Sequence, residues 1–248
     1  MTDVVETGTQ ALQASQVAAW GSDNNLGTED YKLSKILLMH GQSKLVQDGN
    51  AKKGEWRDNV TGDLIGEAGA DLEFVPFHLE KRWEVLNETG KKWLGDELFT
   101  QQNAERPVTT SLKNMNPVDG KTYWVVFRAY ALRLDQLKAG VVKPYIIDFK
   151  KSARESGRRI GQWMYQDARL EKVSPAAYSW ILSVGAATNK DGEQFNFIET
   201  KRGERVSVEL EAQAFKMYEV LQSAGMDTTA ANKGDEVETN HVPENVEF

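Results

Sequence analysis

A chain of 248 residues, 40% hydrophobic and 27% charged, has the composition of a globular protein and the length for one large domain or two small ones. With no cysteine it excludes disulfides and thiolate metal sites, and its three histidines, His40, His78 and His241, have no spacing that suits a zinc site or a Ser-His-Asp hydrolase. Its net charge of −7 argues at first sight against a nucleic-acid partner, but the layout of that charge does not.

The first thirty residues carry Asp3, Glu6, Asp23, Glu29 and Asp30 and no base, and read as a flexible acidic segment over 1–30. "MTDVVETGTQ" lacks the basic start and apolar stretch of a signal peptide, and no run approaches the ~20 apolar residues of a membrane span. A reducing, cytoplasmic setting without membrane contact is the expectation. Order is expected to begin near residue 31, where Ile36 to Met39 read as a buried strand. "SKLVQDG" reads as a turn, and "GEWRDNVTGDLIG" as a hairpin turning at Asn59–Gly62. "ADLEFVPFHLEKRWEVL" predicts two strand segments bent at Pro76, and residues 87–120 a long loop.

"KTYWVVFRAYALRL" (121–134) is the clearest strand, too apolar on both faces for an edge, and "KPYIIDF" is another. The pattern then becomes helical over 152–171, where Ser152 and Glu155 match a capping box. "AAYSWILSVGAATNKDGEQFNFIET" predicts a hairpin turning at Asn189–Gly192, and Ser207 to Gly225 a second helix. About seven or eight strands and two helices predict a mainly β fold over 31–225. The preferred form is a β-barrel elaborated by helices and long loops, with an α+β sheet as the alternative. Residues 226–248 hold six acids, one base, Pro243 and Gly234, and read as a disordered acidic tail.

Removing both ends from the 37 acids and 30 bases leaves 26 against 29, so the body is mildly basic. Within it, residues 121–173 hold twelve bases against five acids. The 152–171 helix puts Arg154, Arg158, Gln162, Tyr165 and Arg169 within about 80° of one another, with Arg159 beside them and Lys150 and Lys151 just before. Such a stripe suits a phosphate backbone. A solvated face is the plain alternative; the stripe itself offers no matching acids, which favours the functional reading. Rings interleave with these bases: Trp124 and Tyr130 share a strand with Arg128 and Arg133, and Trp180 and Phe197 lie in the hairpin. Unpaired bases stack on exposed rings, worth ~1–3 kcal/mol each, although most rings at strand spacing belong to a core. Two or three are expected to be exposed.

Enzyme motifs are weaker. "DGKT" lacks the earlier glycine of a phosphate loop, since Met115 stands there. Asp148-Phe149-Lys150, with Asp119 upstream, resembles the metal core of restriction-endonuclease-like nucleases, in which carboxylates hold Mg²⁺ and a lysine steadies water. The tripeptide arises often by chance, so the leading expectation is a non-enzymatic chain needing no cofactor or metal. A virion or host-interaction protein is a further alternative.

An acidic tail ending on the single large ring of Phe248 resembles the single-stranded DNA-binding proteins of T7-type phages, which join an oligonucleotide-binding barrel (OB-fold) to such a C-terminus. The stretch "KLSKILLMHGQSKLVQDGNAKKGEWRDNVTGDLIG" followed by "LEFVPFHLEKRW" is also similar to phage-encoded proteins called single-stranded DNA-binding proteins. The resemblance implies coating of unpaired DNA in replication or recombination. It also implies a tail (Asp235, Glu236, Glu238, Glu244, Glu247, Phe248) that recruits replication proteins such as DNA polymerase and shields the groove. RNA is a weaker candidate partner, and a homo-oligomer is compatible with the sequence.

Overall fold

The structure is a computed structural model that describes residues 33–41, 43–109, 117–188, 192 and 194–223. The segments expected to be flexible over 1–30 and 226–248, with Asp235, Glu236, Glu238, Glu244, Glu247 and Phe248, lie outside the described residues.

In chain order the elements are β1 (Ser34–Leu38), α1 (Lys44–Gln47), β2 (Trp56–Asp58), β3 (Leu64–Gly66), β4 (Leu72–Asn87), β5 (Trp93–Leu98), β6 (Lys121–Arg133), α2 (Leu134–Lys138) and β7 (Pro144–Phe149). There follow a 3₁₀ turn (Lys151–Ala153), α3 (Arg154–Gln162), a π-helical turn (Trp163–Asp167), α4 (Ala168–Leu170), β8 (Tyr178–Thr188), β9 (Gln194–Arg205) and α5 (Val208–Ser223). The nine strands form one curled half-barrel sheet in the order β3-β2-β1-β7-β6-β4-β8-β9, with β5 also paired to β4. Among the described residues only β1 and β7 run parallel; the other pairs are antiparallel. The two ends of the curl face each other, since Lys53, before β2, reaches the Gln194 carbonyl of β9 at 3.5 Å. A mainly β, barrel-like fold with helical additions is therefore what the chain adopts. Among the described residues no helix is long and apolar enough to cross a membrane.

The 16-residue β4 organises the sheet. One edge pairs with β6 throughout; the other meets β8 at Leu72–Phe74 and β5 at Arg82–Leu86. The bend expected at Pro76 is a β-bulge instead: Pro76 pairs with Ala131 and His78 with Tyr130, leaving Phe77 extra. A proline lacks the N–H for a ladder bond, so a bulge is where a central strand tolerates it. The extra residue puts Phe77 and His78 both on the outer face, Phe77 in the outer core and His78 against Tyr130.

Both faces are covered. Inside the curl, Trp56, Phe74, Ile147, Phe149, Trp180 and Ile198 pack against Ile160, Trp163 and Met164 of the α3 segment. Outside, Val75, Tyr130, Leu132 and Ile146 pack beneath α2 and α5. Residues 87–120 are not all loop, because Trp93–Leu98 forms the edge strand β5. The expected capping box is absent too. Ser152 lies in the 3₁₀ turn, α3 begins after Ala153 with no side-chain cap, and Glu155 binds Arg158. A lost cap costs ~1 kcal/mol, whereas each buried side chain such as Ile160 or Met164 contributes ~1.5–3 kcal/mol. Packing decides where this helix sits.

Candidate functional site

Helix α3 is laid into the curled sheet by three kinds of contact. Gly157 allows close approach: a Cβ there would stand 2.6 Å from the Phe127 Cβ and 2.7 Å from the Phe149 Cβ. The Ser156 hydroxyl donates to the Ile198 carbonyl at 3.0 Å, and the Thr200 hydroxyl to the Ser156 carbonyl at 3.3 Å, which ties the helix to β9. The Tyr165 hydroxyl donates to the Leu79 carbonyl on the β4 edge between β8 and β5. Buried Ala153, Gly157, Ile160 and Met164 form the inward side, as the helical spacing predicts.

The outward side carries Arg154, Arg158, Arg159, Tyr165 and Arg169, all exposed. Tyr165 keeps half its surface in solvent even though its hydroxyl is tied down. The stripe is not free of acids. Glu155 binds Arg158 at 2.6 and 2.8 Å and lies 3.9 Å from Arg159, and these partners hold its carboxyl below the usual range. Among the described residues, Arg154 and Arg169 have no acidic partner. Arg154 also acts on Lys81, whose ammonium lies 3.4 Å above the Phe99 ring; burial first, then the Arg154 charge, lowers the Lys81 pKa. At the other end Arg202 stacks on Trp163 and Tyr178, 4.4 and 4.8 Å from the ring centres. Lys81, with Phe99 beneath its ammonium, therefore borders the stripe beyond the residues expected, whereas Tyr178 packs on Trp163 under Arg202.

Several expected contacts are elsewhere. Arg128 is fully buried and binds Asp148 at 2.6 and 2.8 Å and Asp96 at 2.8 Å, so it is structural and does not face a phosphate. Tyr130 and Trp180 are core residues, because helices and loops cover both faces of the sheet, and the Trp124 ring is buried beneath Lys151. The Tyr130 hydroxyl is used by Glu80 at 2.9 Å. Phe197 is half-buried beside Phe195. Arg133 pairs with Asp135 at the start of α2, away from the stripe. Lys150 binds Glu84 at 2.6 Å, and the Lys151 ammonium sits 5.1 Å above the Trp124 ring.

The nuclease constellation is not assembled. Asp148 pairs across the sheet with Arg128, seven residues along β6 from Lys121, and Asp119 lies two residues before that strand starts. That is roughly 23 Å of strand at ~3.3 Å per residue, far beyond a shared metal's reach of ~2–2.6 Å per ligand. Burial raises the Asp148 pKa, but the charges of Arg128 and Lys35 outweigh it and hold the carboxyl far below the usual range. Glu84 is likewise held down, against burial, by Lys150. Asp96, Asp148 and Glu84 thus answer Arg128, Lys35 and Lys150 in one compact ionic network.

Comparisons with protein-family models, curated proteins and solved structures found no match.

Proposed function

We propose that this chain binds single-stranded nucleic acid, DNA in the first instance, along the outward face of α3, without catalysing a reaction on it. The observation that carries the reading is the anchored helix over the curled sheet, with Arg154, Arg158, Arg159 and Arg169 exposed and the half-exposed ring of Tyr165 on the same face. Guanidinium groups neutralise phosphates and release counterions, and rings beside them give unpaired bases a stacking surface. The half-barrel is compatible with an elaborated OB-like fold, and the acidic run ending in Phe248 fits a docking peptide for replication proteins in a phage-infected cytoplasm. Most tryptophans described are buried, so intrinsic fluorescence is a poor probe. The test is fluorescence anisotropy of labelled oligo-dT at several salt concentrations, with duplex DNA as the control. Saturable binding that weakens as salt rises and prefers the single strand is the expected result. No binding at low salt overturns the proposal.

A further inference from the structure

A second cationic locus lies outside the α3 stripe. Strands β1 and β7 run parallel and end at Leu38 and Phe149, while β6 extends past them. Along β6, β7 pairs with Phe127–Leu132, so Trp124–Val126 form a ledge beyond the two strand ends. Lys151 stands over that ledge with its ammonium 5.1 Å above the Trp124 ring, and Lys150 reaches Glu84, the residue paired with Trp124. Lys53 approaches from the facing end of the curl, near Gln194.

Two observations mark this ledge as a place for an anion. The Trp124 indole N–H is buried and has no hydrogen-bond partner among the described residues, a state that costs ~1–3 kcal/mol. Trp163 and Trp180 share that state but lie in the inner apolar core. Secondly, His40 follows β1, and the charges acting on it are positive. Burial first, then Lys151, Lys150 and Lys53, bring its pKa down from 6.5 to about 4. A bound anion would relieve that field and give the N–H its acceptor. Lys151 also adopts a left-handed φ of 51°, which aims the turn between β7 and α3; for a non-glycine residue this conformation is sparsely populated.

We propose that the ledge beyond β1 and β7 is a phosphate-binding subsite, formed by His40, Lys53, Lys150, Lys151 and the Trp124 indole N–H, and that it takes one phosphodiester group of the bound strand. Its strand ligand rests on the function proposed above; its phosphate chemistry does not. At neutral pH the uncharged His40 ring offers one N–H donor, and Lys53 and Lys151 supply the charge, Lys150 being held by Glu84.

The experiment follows the indole N–H resonance of Trp124 by NMR, assigned with Trp124→Phe, while the full chain is titrated first with inorganic phosphate and then with oligo-dT. The expected result is a saturable shift with both ligands and a His40 titration moved above about 4 when phosphate is bound. Lys53→Gln with Lys151→Gln should weaken phosphate binding by about tenfold or more and lower the oligo-dT salt slope by about two. Lys53 is exposed and Lys151 half-buried, and neither belongs to a core cluster, so circular dichroism of the double variant should match the parent. If oligo-dT binds while Trp124 and His40 respond to neither ligand, the subsite is overturned and the strand reading stands. If phosphate moves both groups but oligo-dT does not bind, the phosphate site stands and its strand ligand is overturned.

Discussion

Arg128 on β6 donates from Nε and Nη2 to the two oxygens of Asp148 on β7, at 2.6 and 2.8 Å, from a side chain with 1% of its surface exposed. The same guanidinium reaches Asp96 on β5, so one residue joins three strands. Breaking a buried pair leaves an uncompensated charge, typically worth 3–5 kcal/mol. Arg128→Ala should therefore lower unfolding stability by about 3–5 kcal/mol in urea titrations. A variant of parental stability that had lost only nucleic-acid binding would return Arg128 to the interface.

The fit of α3 into the sheet predicts opposite tolerance at two glycines. Alanine is favoured over glycine in a helix by ~1 kcal/mol. At Gly157, however, a Cβ would meet two β-carbons of the sheet inside 3.0 Å, so Gly157→Ala should destabilise by about 1–3 kcal/mol. At Gly161 the Cβ would meet only the Leu79 Cδ2, at 3.3 Å, the end of a flexible side chain. Gly161→Ala should be near neutral. Thermal melts of the two variants side by side check the prediction, and equal melting temperatures would contradict it.

Acid should unfold this protein through identifiable groups. Burial raises the Glu80 pKa, but bonds from His78, Arg82 and Tyr130 and the Arg82 charge prevail and bring it from 4.5 to about 2. A carboxylate depressed in the folded state contributes stability above its unfolded pKa and loses it as pH falls toward the folded value. His40 acts in the same direction at higher pH. Unfolded chains take up its proton near 6.5, while the folded protein resists until about 4. Stability should therefore decline from about pH 6.5 to 4 through His40, by up to ~1.4 kcal/mol per pH unit, and further below 4.5 through Glu80. Urea midpoints between pH 7 and 3 test this, and His40→Gln should flatten the upper part of the profile.

The strands legible in the sequence were those whose apolar pattern follows from burial. "KTYWVVFRAYALR" is buried on both faces and reads so, and the hairpin over β8 and β9 and the last helix agree with their periodicity. β5 is hidden because "WLGDEL" carries a glycine and acids, and Asp96 has its place only beside Arg128 from a strand 25 residues or more further on. The α3 stripe was legible because helical spacing fixes which side chains share a face. The exposure of Trp124, Tyr130 and Trp180 was not. Whether a ring in a central strand meets solvent depends on what covers that face, and α3 and α5 come from other parts of the chain. The buried Arg128 shows the same limit for charge: only the sheet register reveals that Asp148 stands opposite.

The electrostatics of α3 separate two arginines that look equivalent in sequence. Arg158 is held by Glu155 at 2.6 and 2.8 Å, whereas Arg154 has no acidic partner among the described residues and stands near the Lys81 charge. A phosphate approaching Arg158 competes with a directly bonded carboxylate; one approaching Arg154 meets the same carboxylate only at longer range. Arg154→Gln should thus reduce the slope of log affinity for oligo-dT against log salt by about one, and weaken binding several-fold at low salt. Glu155→Gln should act in reverse: it frees Arg158 and Arg159, removes a repelling charge and tightens binding at low salt. The exposed pair contributes only ~0–1 kcal/mol to folding, so stability should change little. Anisotropy titrations of the two variants at several salt concentrations decide the matter. If neither substitution alters affinity or slope, the strand does not run along α3, and the cationic ledge at His40 and Lys53 becomes the primary surface to probe.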